Sequence, residues 1–233
     1  MIADICIMHI LLIAATGNEI QHTARYYEEK ENKSGNNDIR ISVTGVGMVS
    51  TTYFLTREIE QHHPDLIIQA GIAGCFQKDR NSSIVAISID NIGDMGACEN
   101  GTFRNIFDLK LVEKNEYPFV NASLINPHQK LISLSDCKPV NAITVNEVTT
   151  DQTRVEYYQQ NYNPFVESME GAAFHYVCLH EKIPFIQIRS ISNFIGERDK
   201  SKWKIDESIT SLNAQLILLI NKLSDYNETH SWI

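Results

Sequence analysis

Short apolar runs alternate with segments of helical periodicity along almost the whole 233-residue chain. A run that is apolar throughout is typical of a strand buried on both faces of a mostly parallel sheet. The predicted strands are 5–15, 39–45, 65–70, 83–89, 141–145 and 184–189. The predicted helices are 19–30, 47–62, 126–134, 150–158, 168–180 and 206–223. This order predicts an α/β fold with helices on both faces of the sheet.

Two segments follow neither pattern. Residues 31–38 are rich in Asn, Lys, Ser and Gly, which predicts an exposed turn. Residues 93–119 mix Gly, Asn, aromatic and acidic residues, which favours either a lid over an active site or an oligomer contact. The length fits one domain of ordinary size, so residues 1–233 are expected to form a single domain.

The charge and the cysteines restrict the partners. With a net charge of −9 and no basic run, the chain would repel a phosphate backbone, which argues against nucleic acid but not against small nucleosides. Five scattered cysteines without a Cys-x-x-Cys pair favour reduced thiols in a cytoplasmic protein. The eight histidines show no metal-binding spacing, and we predict neither a metal nor another cofactor. No apolar run approaches the length of about 20 residues that a membrane span needs, and the first run lacks the basic start of a signal peptide.

Small and polar residues follow several predicted strands. Ligands of such sheets bind beyond the carboxyl ends of the strands, where these residues would converge. Gly45-Val46-Gly47 and Gly71-Ile72-Ala73-Gly74 lack the spacing of a dinucleotide fingerprint or a P-loop. They are tight turns that either approach a small ligand or only reverse the chain. Glu19 would lie at the mouth of the cleft, either activating a water molecule or interacting with the dipole of its own helix.

One motif favours a nucleoside ligand. Met169-Glu170-Gly171-Ala172-Ala173 opens a predicted helix, and the next predicted strand, 184–189, leads on to Asn193. A carboxylate can accept hydrogen bonds from two ribose hydroxyls, a Met can cover the sugar, and the strand end can meet the base. The alternative is a helix that only packs against the sheet. An acidic residue in such an apolar run needs a partner, however, because an unpaired buried carboxylate is costly.

Five segments, in order along nearly the whole chain, resemble the nucleoside phosphorylase and nucleosidase superfamily. They are Ala15-x-x-x-Glu19, Gly45-Val46-Gly47, Gly71-Ile72-Ala73-Gly74, Met169-Glu170-Gly171-Ala172-Ala173 and Arg189-Ser190-Ile191-Ser192-Asn193. The segment 192–199, followed by Trp203, is most similar to futalosine hydrolases. The resemblance implies a three-layer α/β/α sandwich with a central twisted mixed sheet, a homo-oligomer, and cleavage of an N-glycosidic bond.

The resemblance also implies roles for individual residues. Glu19 falls where nucleosidases place the acid that activates water, while Met169 and Glu170 fall where the ribose is held. Asn193 stands where methylthioadenosine nucleosidases carry an Asp that protonates the purine N7. An amide cannot deliver that proton, so Asn193 favours a 6-oxo purine such as hypoxanthine; alternatively it only caps a turn. The proton would then come through water or from Asp199.

The 5′ end of futalosine carries a carboxylated aromatic ketone, for which Arg198 and Arg104 are candidate cations. Phe103, Phe107 and Phe194 could each stack on the base or the tail, or belong to the core; Phe194 is the first candidate because it adjoins Asn193.

The same resemblance separates hydrolysis from phosphorolysis. Phosphorylases hold phosphate with an Arg and a Ser, whereas this chain has Gln69 and Ile72 in the corresponding segment. Without those donors a phosphate dianion would be held poorly, and Glu19 would repel it. Gly71 and Ile72 are therefore expected to contact the nucleoside. The leading hypothesis is a futalosine hydrolase that releases hypoxanthine in menaquinone biosynthesis; the alternatives are a methylthioadenosine/S-adenosylhomocysteine nucleosidase and a purine nucleoside phosphorylase.

Overall fold

Side chains of the first strand, β1 (His9–Ala14), point alternately into two apolar cores. Ile10 and Leu12 belong to one core, and Leu11 and Ile13 to the other. Because successive side chains of a strand point to opposite faces, the sheet must be covered on both sides. This is the sequence pattern that predicted the fold.

The computed structural model describes residues 7–35, 37–77, 83–197 and 199–225. The remaining strands are β2 (Lys33–Ser34), β3 (Asn37–Val43), β4 (Leu66–Cys75), β5 (Ile84–Ile92), β6 (Gly96–Glu99), β7 (Thr102–Asn105), β8 (Leu124–Ile125), β9 (Lys138–Thr144), β10 (Val166–Ser168) and β11 (Phe185–Phe194). The helices are α1 (Gly17–Glu28), α2 (Met48–His62), α3 (Gln129–Leu134), α4 (Gln152–Tyr162), α5 (Gly171–Glu181) and α6 (Ile205–Asp225).

The helices form two layers around a mixed sheet. Helices α1, α3 and α6 contribute to the core on one face, and α2 and α5 to the core on the other. The sheet order is β10-β9-β5-β11-β4-β1-β3-β2, with β8 beside β5. The predicted three-layer α/β/α arrangement with a central mixed sheet is therefore confirmed. Among the described helices, none is long and apolar enough to cross a membrane.

Strand β4 turns part of this sheet into a closed ring. Its first half pairs with β1, while its last two residues pair with β10, which also pairs with β9. Strands β4, β11, β5, β9 and β10 therefore close on one another. The ring brings the ends of β4, β10 and β11 to one place.

Some boundaries differ from the sequence predictions. Gly71-Ile72-Ala73-Gly74 was predicted to be a turn, which is wrong, because these residues continue β4. Helix α5 begins at Gly171 rather than at Ser168, since residues 166–168 form a strand. The segment 93–119, predicted to be a loop, contains the β6–β7 hairpin. Short strands that gain their pairing partners only on folding carry little periodicity of their own.

Candidate active site

Glu19 is a nearly buried carboxylate, 7% exposed, that three donors hold in place. Its Oε2 accepts hydrogen bonds from the backbone N–H and the hydroxyl of Thr16, both at 3.0 Å. Its Oε1 accepts from the backbone N–H of Ile72 at 3.0 Å. Thr16 is the N-cap of α1, so the start of the helix and the middle of β4 together fix Glu19. The predicted site residues Glu19 and Ile72 are therefore in direct contact.

Glu170 is the second nearly buried carboxylate, 5% exposed, and lies at the N-cap of α5. Its Oε1 accepts from the backbone N–H of Gly47 at 3.1 Å, and its Oε2 lies 3.5 Å from Nη1 of Arg189. Gly47 has a φ of 89°, which glycine adopts without strain. Gly47, the second glycine of the pair that follows β3, thus points its amide at the carboxylate expected to hold ribose. Met169, directly before Glu170, is half-buried.

Arg189 bonds to residues of β4 and of the start of α5, although the sequence analysis gave it no role. It is 1% exposed inside β11, and its Nη2 donates to Oε1 of Gln69 at 3.1 Å. A charged residue within a strand predicted to be buried was the signal available in the sequence, because a buried cation needs acidic or polar partners.

Gly71 lies between this guanidinium and the first carboxylate. A Cβ built on Gly71 would be 3.0 Å from Oε1 of Glu19 and 3.3 Å from Cζ of Arg189, and well under 3.0 Å from Nη1. The absence of a side chain at Gly71 therefore allows Glu19 and Arg189 to approach the same point of β4. The sequence predicted that Gly71 belongs to the site, but for its place in a turn rather than in a strand.

Asn193 is the last residue but one of β11 and pairs with Gly74 of β4, after a register shift that follows Ile191. Its Oδ1 accepts from the hydroxyl of Ser192 at 2.8 Å, and its Nδ2 donates to the carbonyl of Phe194 at 3.1 Å. Asn193 and Phe194 are both half-buried, so each can still meet a ligand.

Of the two candidate tail cations, Arg198 lies outside the described residues. Arg104 is bonded within the β6–β7 hairpin and its turn, to Glu99 at 3.1 Å and to the carbonyl of Asp108 at 2.9 Å.

Glu167 is a third buried carboxyl group, which the sequence analysis missed. It pairs with Gly74 in β10, on the side of β4 opposite Asn193. Its Oε1 accepts from the backbone N–H of Thr149 at 3.0 Å, whereas its Oε2 and the Thr149 hydroxyl have no hydrogen-bond partner. Burial raises the pKa of Glu167 above its usual value. A cavity of about 600 Å³ is lined in part by Thr149 and lies next to this group.

Among the described residues, no group of three or more His, Cys, Asp or Glu side chains is arranged to hold a metal ion. Glu19 and Glu170 each accept a hydrogen bond from a backbone amide, and Glu170 is also paired with the Arg189 guanidinium.

Comparison with known proteins gives one family and two kinds of relative. Residues 9–223 match the model of the phosphorylase superfamily. Futalosine hydrolase of Streptomyces coelicolor is 25% identical over 150 residues, which are 64% of this chain and 62% of that protein, less than two thirds of its length. A 5′-methylthioadenosine/S-adenosylhomocysteine nucleosidase of Shewanella pealeana is 24% identical over 230 residues, 91% of this chain and 97% of that protein. The solved structure of a futalosine hydrolase of Helicobacter pylori superimposes with a TM-score of 0.77 at 15% identity, covering 92% of this chain and 97% of that one.

Proposed function

We propose that this chain, which belongs to the phosphorylase superfamily, is a nucleosidase that hydrolyses futalosine and releases hypoxanthine. The observation that carries the proposal is the pair of nearly buried carboxylates, Glu19 and Glu170, on either side of Gly71 and Arg189. N-glycosyl hydrolysis is also the chemistry of the futalosine hydrolase and nucleosidase relatives.

Glu19 is the general base in this proposal. A carboxylate offers about four lone-pair directions, and three donors occupy three of those on Glu19. The remaining direction can accept a proton from a water molecule. The glycosidic bond loosens first, and water activated by Glu19 then attacks the cationic sugar carbon.

Glu170 holds the ribose. The Gly47 amide and the Arg189 guanidinium occupy one position on each of its oxygens. The carboxylate can therefore still accept hydrogen bonds from the 2′- and 3′-hydroxyls. Met169, half-buried next to it, covers the sugar.

Water is favoured over phosphate as the nucleophile. Gln69 accepts a hydrogen bond from Arg189, and Ile72 offers only its amide, which is bonded to Glu19. The guanidinium is itself paired with Glu170. A dianion would thus find two carboxylates and no uncommitted cation among these residues.

The proposal also specifies the leaving base, hypoxanthine rather than adenine. Asn193 can donate a hydrogen bond to N7 or O6 of a 6-oxo purine but cannot protonate N7. Its counterpart across Gly74, Glu167, has one free carboxylate oxygen that can accept the N1–H of hypoxanthine. Phe194, half-buried next to Asn193, is the residue that we expect to contact the base or the tail.

Hydrolysis of methylthioadenosine or S-adenosylhomocysteine is the second candidate. Relatives with that activity align over more of the chain than the futalosine hydrolase does. The raised pKa of Glu167 also allows a protonated carboxyl group, which could donate to the unprotonated N1 of adenine.

We further propose that the chain forms a homo-oligomer in the cytoplasm. Val46, Val49, Tyr53 and Phe54, on or just before α2, are apolar yet exposed, and Val49 is 83% exposed. This patch lies on both sides of Gly47 in the sequence, and Gly47 contacts Glu170, so a second subunit on the patch would adjoin the site. Sedimentation velocity of the wild-type protein and of Val49→Glu tests this, because the variant should dissociate if the patch is the interface.

Chromatographic measurement of base release tests the function. Futalosine, aminodeoxyfutalosine, methylthioadenosine and inosine are each incubated with the protein, with and without phosphate. Phosphate-independent hypoxanthine release from futalosine is the expected result. Preferential adenine release from methylthioadenosine would replace the first candidate with the second, and strict phosphate dependence would contradict hydrolysis.

A further inference from the structure

A cluster of polar side chains lies buried in the core behind Arg189. It consists of Asp90 in β5, His175 in α5, and Gln187 and Arg189 in β11, and none of the four is more than 1% exposed. Burying so many polar groups is costly unless each finds its hydrogen-bond partners. The arrangement of donors and acceptors in the cluster is therefore informative.

His175 has one defined protonation state and tautomer. Burial lowers its pKa to about 3, so the ring is neutral at physiological pH. Its Nδ1 lies 3.3 Å from the carbonyl oxygen of Leu124, which can only accept a hydrogen bond. Nδ1 therefore carries the proton, and Nε2 is left as an acceptor that faces the rest of the cluster.

Gln187 is satisfied in one amide orientation only. In that orientation its nitrogen donates to Nε2 of His175 at 3.0 Å and to Oδ2 of Asp90 at 3.2 Å. Its oxygen then accepts from Nε of Arg189 at 3.1 Å. The reverse orientation would place the amide oxygen against two acceptors and the amide nitrogen against the guanidinium. Asp90 and His175 thus determine which atom Gln187 presents to Arg189.

Arg189 connects Gln187 to the Glu170 carboxylate on the substrate side of the cluster. Gln187 binds its Nε and Gln69 binds its Nη2. Because the guanidinium is planar and rigid, these two bonds fix the direction of Nη1, which lies 3.5 Å from Oε2 of Glu170. Gly171, the residue after Glu170, also lies against this cluster. A Cβ built on it would lie well under 3.0 Å from both Asp90 and Gln187, so the start of α5 packs directly on these two side chains.

We propose that Asp90 is a positioning residue for sugar recognition, which acts through Gln187 and Arg189 to hold the Glu170 carboxylate in place. The inference rests on the proposed function, since it takes Glu170 to be the residue that accepts the ribose hydroxyls. Asp90 itself lies in the core and does not touch the nucleoside.

Asp90→Asn tests the relay. Oδ1 of Asp90 accepts from the Asn91 amide and the Thr144 hydroxyl, both at 2.9 Å, so the new amide nitrogen must take the place of Oδ2. It then faces the Gln187 nitrogen, and Gln187 turns over and presents an N–H to Nε of Arg189. A misplacement on the order of 1 Å at a positioned group can lower the rate about 10²-fold.

The readout is discrimination between sugars. The kcat/KM for the cleaved ribonucleoside, measured at pH 8 so that Asp90 is ionised, should fall by about 10²-fold, and that for its 2′-deoxy analogue by far less, because the analogue lacks one hydroxyl that Glu170 binds. A merely structural defect would lower both values equally. Asp136→Asn, at an exposed Asp that pairs with Lys222, is the matched control and should change neither value.

Two further variants keep the test decisive. Asp90→Asn combined with Gln187→Glu restores an acceptor for both the new amide at position 90 and the Arg189 Nε–H. The new carboxylate at position 187 also faces Nε2 of His175, which takes up a proton there and donates to it, so the double variant should recover most of the discrimination. Gln187→Met breaks the relay in its middle at similar volume, and should lose discrimination even if Asp90→Asn does not fold.

Equal losses on both sugars, or a double variant no better than Asp90→Asn, would overturn the relay while leaving the function intact. Wild-type protein that releases no base from any ribonucleoside would overturn both.

Discussion

Gly71→Ala is the substitution whose effect follows most directly from the geometry. The added Cβ would lie well under 3.0 Å from Nη1 of Arg189 and 3.0 Å from Oε1 of Glu19. Because Gly71 lies inside a strand, alanine fits the backbone, and the whole effect comes from steric contact. The guanidinium has to retreat by roughly 1 Å, which also moves the group that pairs with Glu170.

Two magnitudes follow from that displacement. Overpacking of this kind costs about 1–3 kcal/mol of folding free energy. For a chain of this size each kcal/mol lowers the melting temperature by about 2–4 °C, so calorimetry should record a fall of roughly 5 °C. The kcat/KM for the nucleoside should fall by about 10²-fold, because a catalytic carboxylate and its neighbouring guanidinium are both displaced.

Gly17→Ala is the matched control. Gly17 also lies next to the site, two residues before Glu19, but a Cβ there would meet only Val43, at an ordinary 3.9 Å. The control should keep its rate and gain up to about 1 kcal/mol, since alanine is favoured over glycine in a helix. A Gly71→Ala protein with the melting temperature and kcat/KM of the wild type would refute the close approach of Glu19 and Arg189 at β4.

Three other substitutions test the remaining assignments. Glu19→Gln should lower kcat by about 10²–10⁴-fold while the protein stays folded, whereas Glu28→Gln, on the exposed side of the same helix, should keep its rate; equal rates for the two would remove Glu19 as the base. Asn193→Asp should shift the substrate preference from nucleosides that release hypoxanthine toward nucleosides that release adenine. An unchanged preference would mean that Asn193 does not determine which base is bound. Burial raises the pKa of Asp90 from 3.8 to about 7, so its contribution to stability is present at acid pH and is lost as the pH rises to 7. The difference in the free energy of unfolding between the wild type and Asp90→Asn should therefore shrink by about 3 kcal/mol between pH 5 and pH 8, at about 1.4 kcal/mol per pH unit. Chemical denaturation measures this difference, and a value that stays constant with pH would contradict the pKa.

Much of the fold could be predicted because the apolar runs are long and regular. Strands β1 and β3 and helices α1, α2 and α6 have strong periodicity, and each lies close to its predicted range. Strand β10 has three residues and exists because β4 and β9 lie on either side of it. Nothing in residues 166–168 alone could indicate those partners.

Some residues of the candidate site could likewise be predicted from the sequence, and others could not. Glu19, Glu170 and Asn193 could be chosen because they belong to motifs at strand and helix ends. Arg189 and Glu167 lie within strands, and their importance depends on partners far away in the sequence. Only the closed ring of strands shows that Glu167 and Asn193 flank Gly74.

The ring also bears on how the chain acquires its site during synthesis. Strand β4 is complete by residue 75, but its ring partners β10 and β11 are separated from it by about ninety to a hundred and twenty residues. Contacts across such distances form late, because the intervening chain must first be closed into a loop. In a nascent chain that ends just after α4, Glu19 would lie near Ile72, but the edge of β4 that pairs with β10 and β11 would still lack both strands. We therefore expect shielding of that edge, by a chaperone or by rapid completion of translation, to govern the yield of active protein.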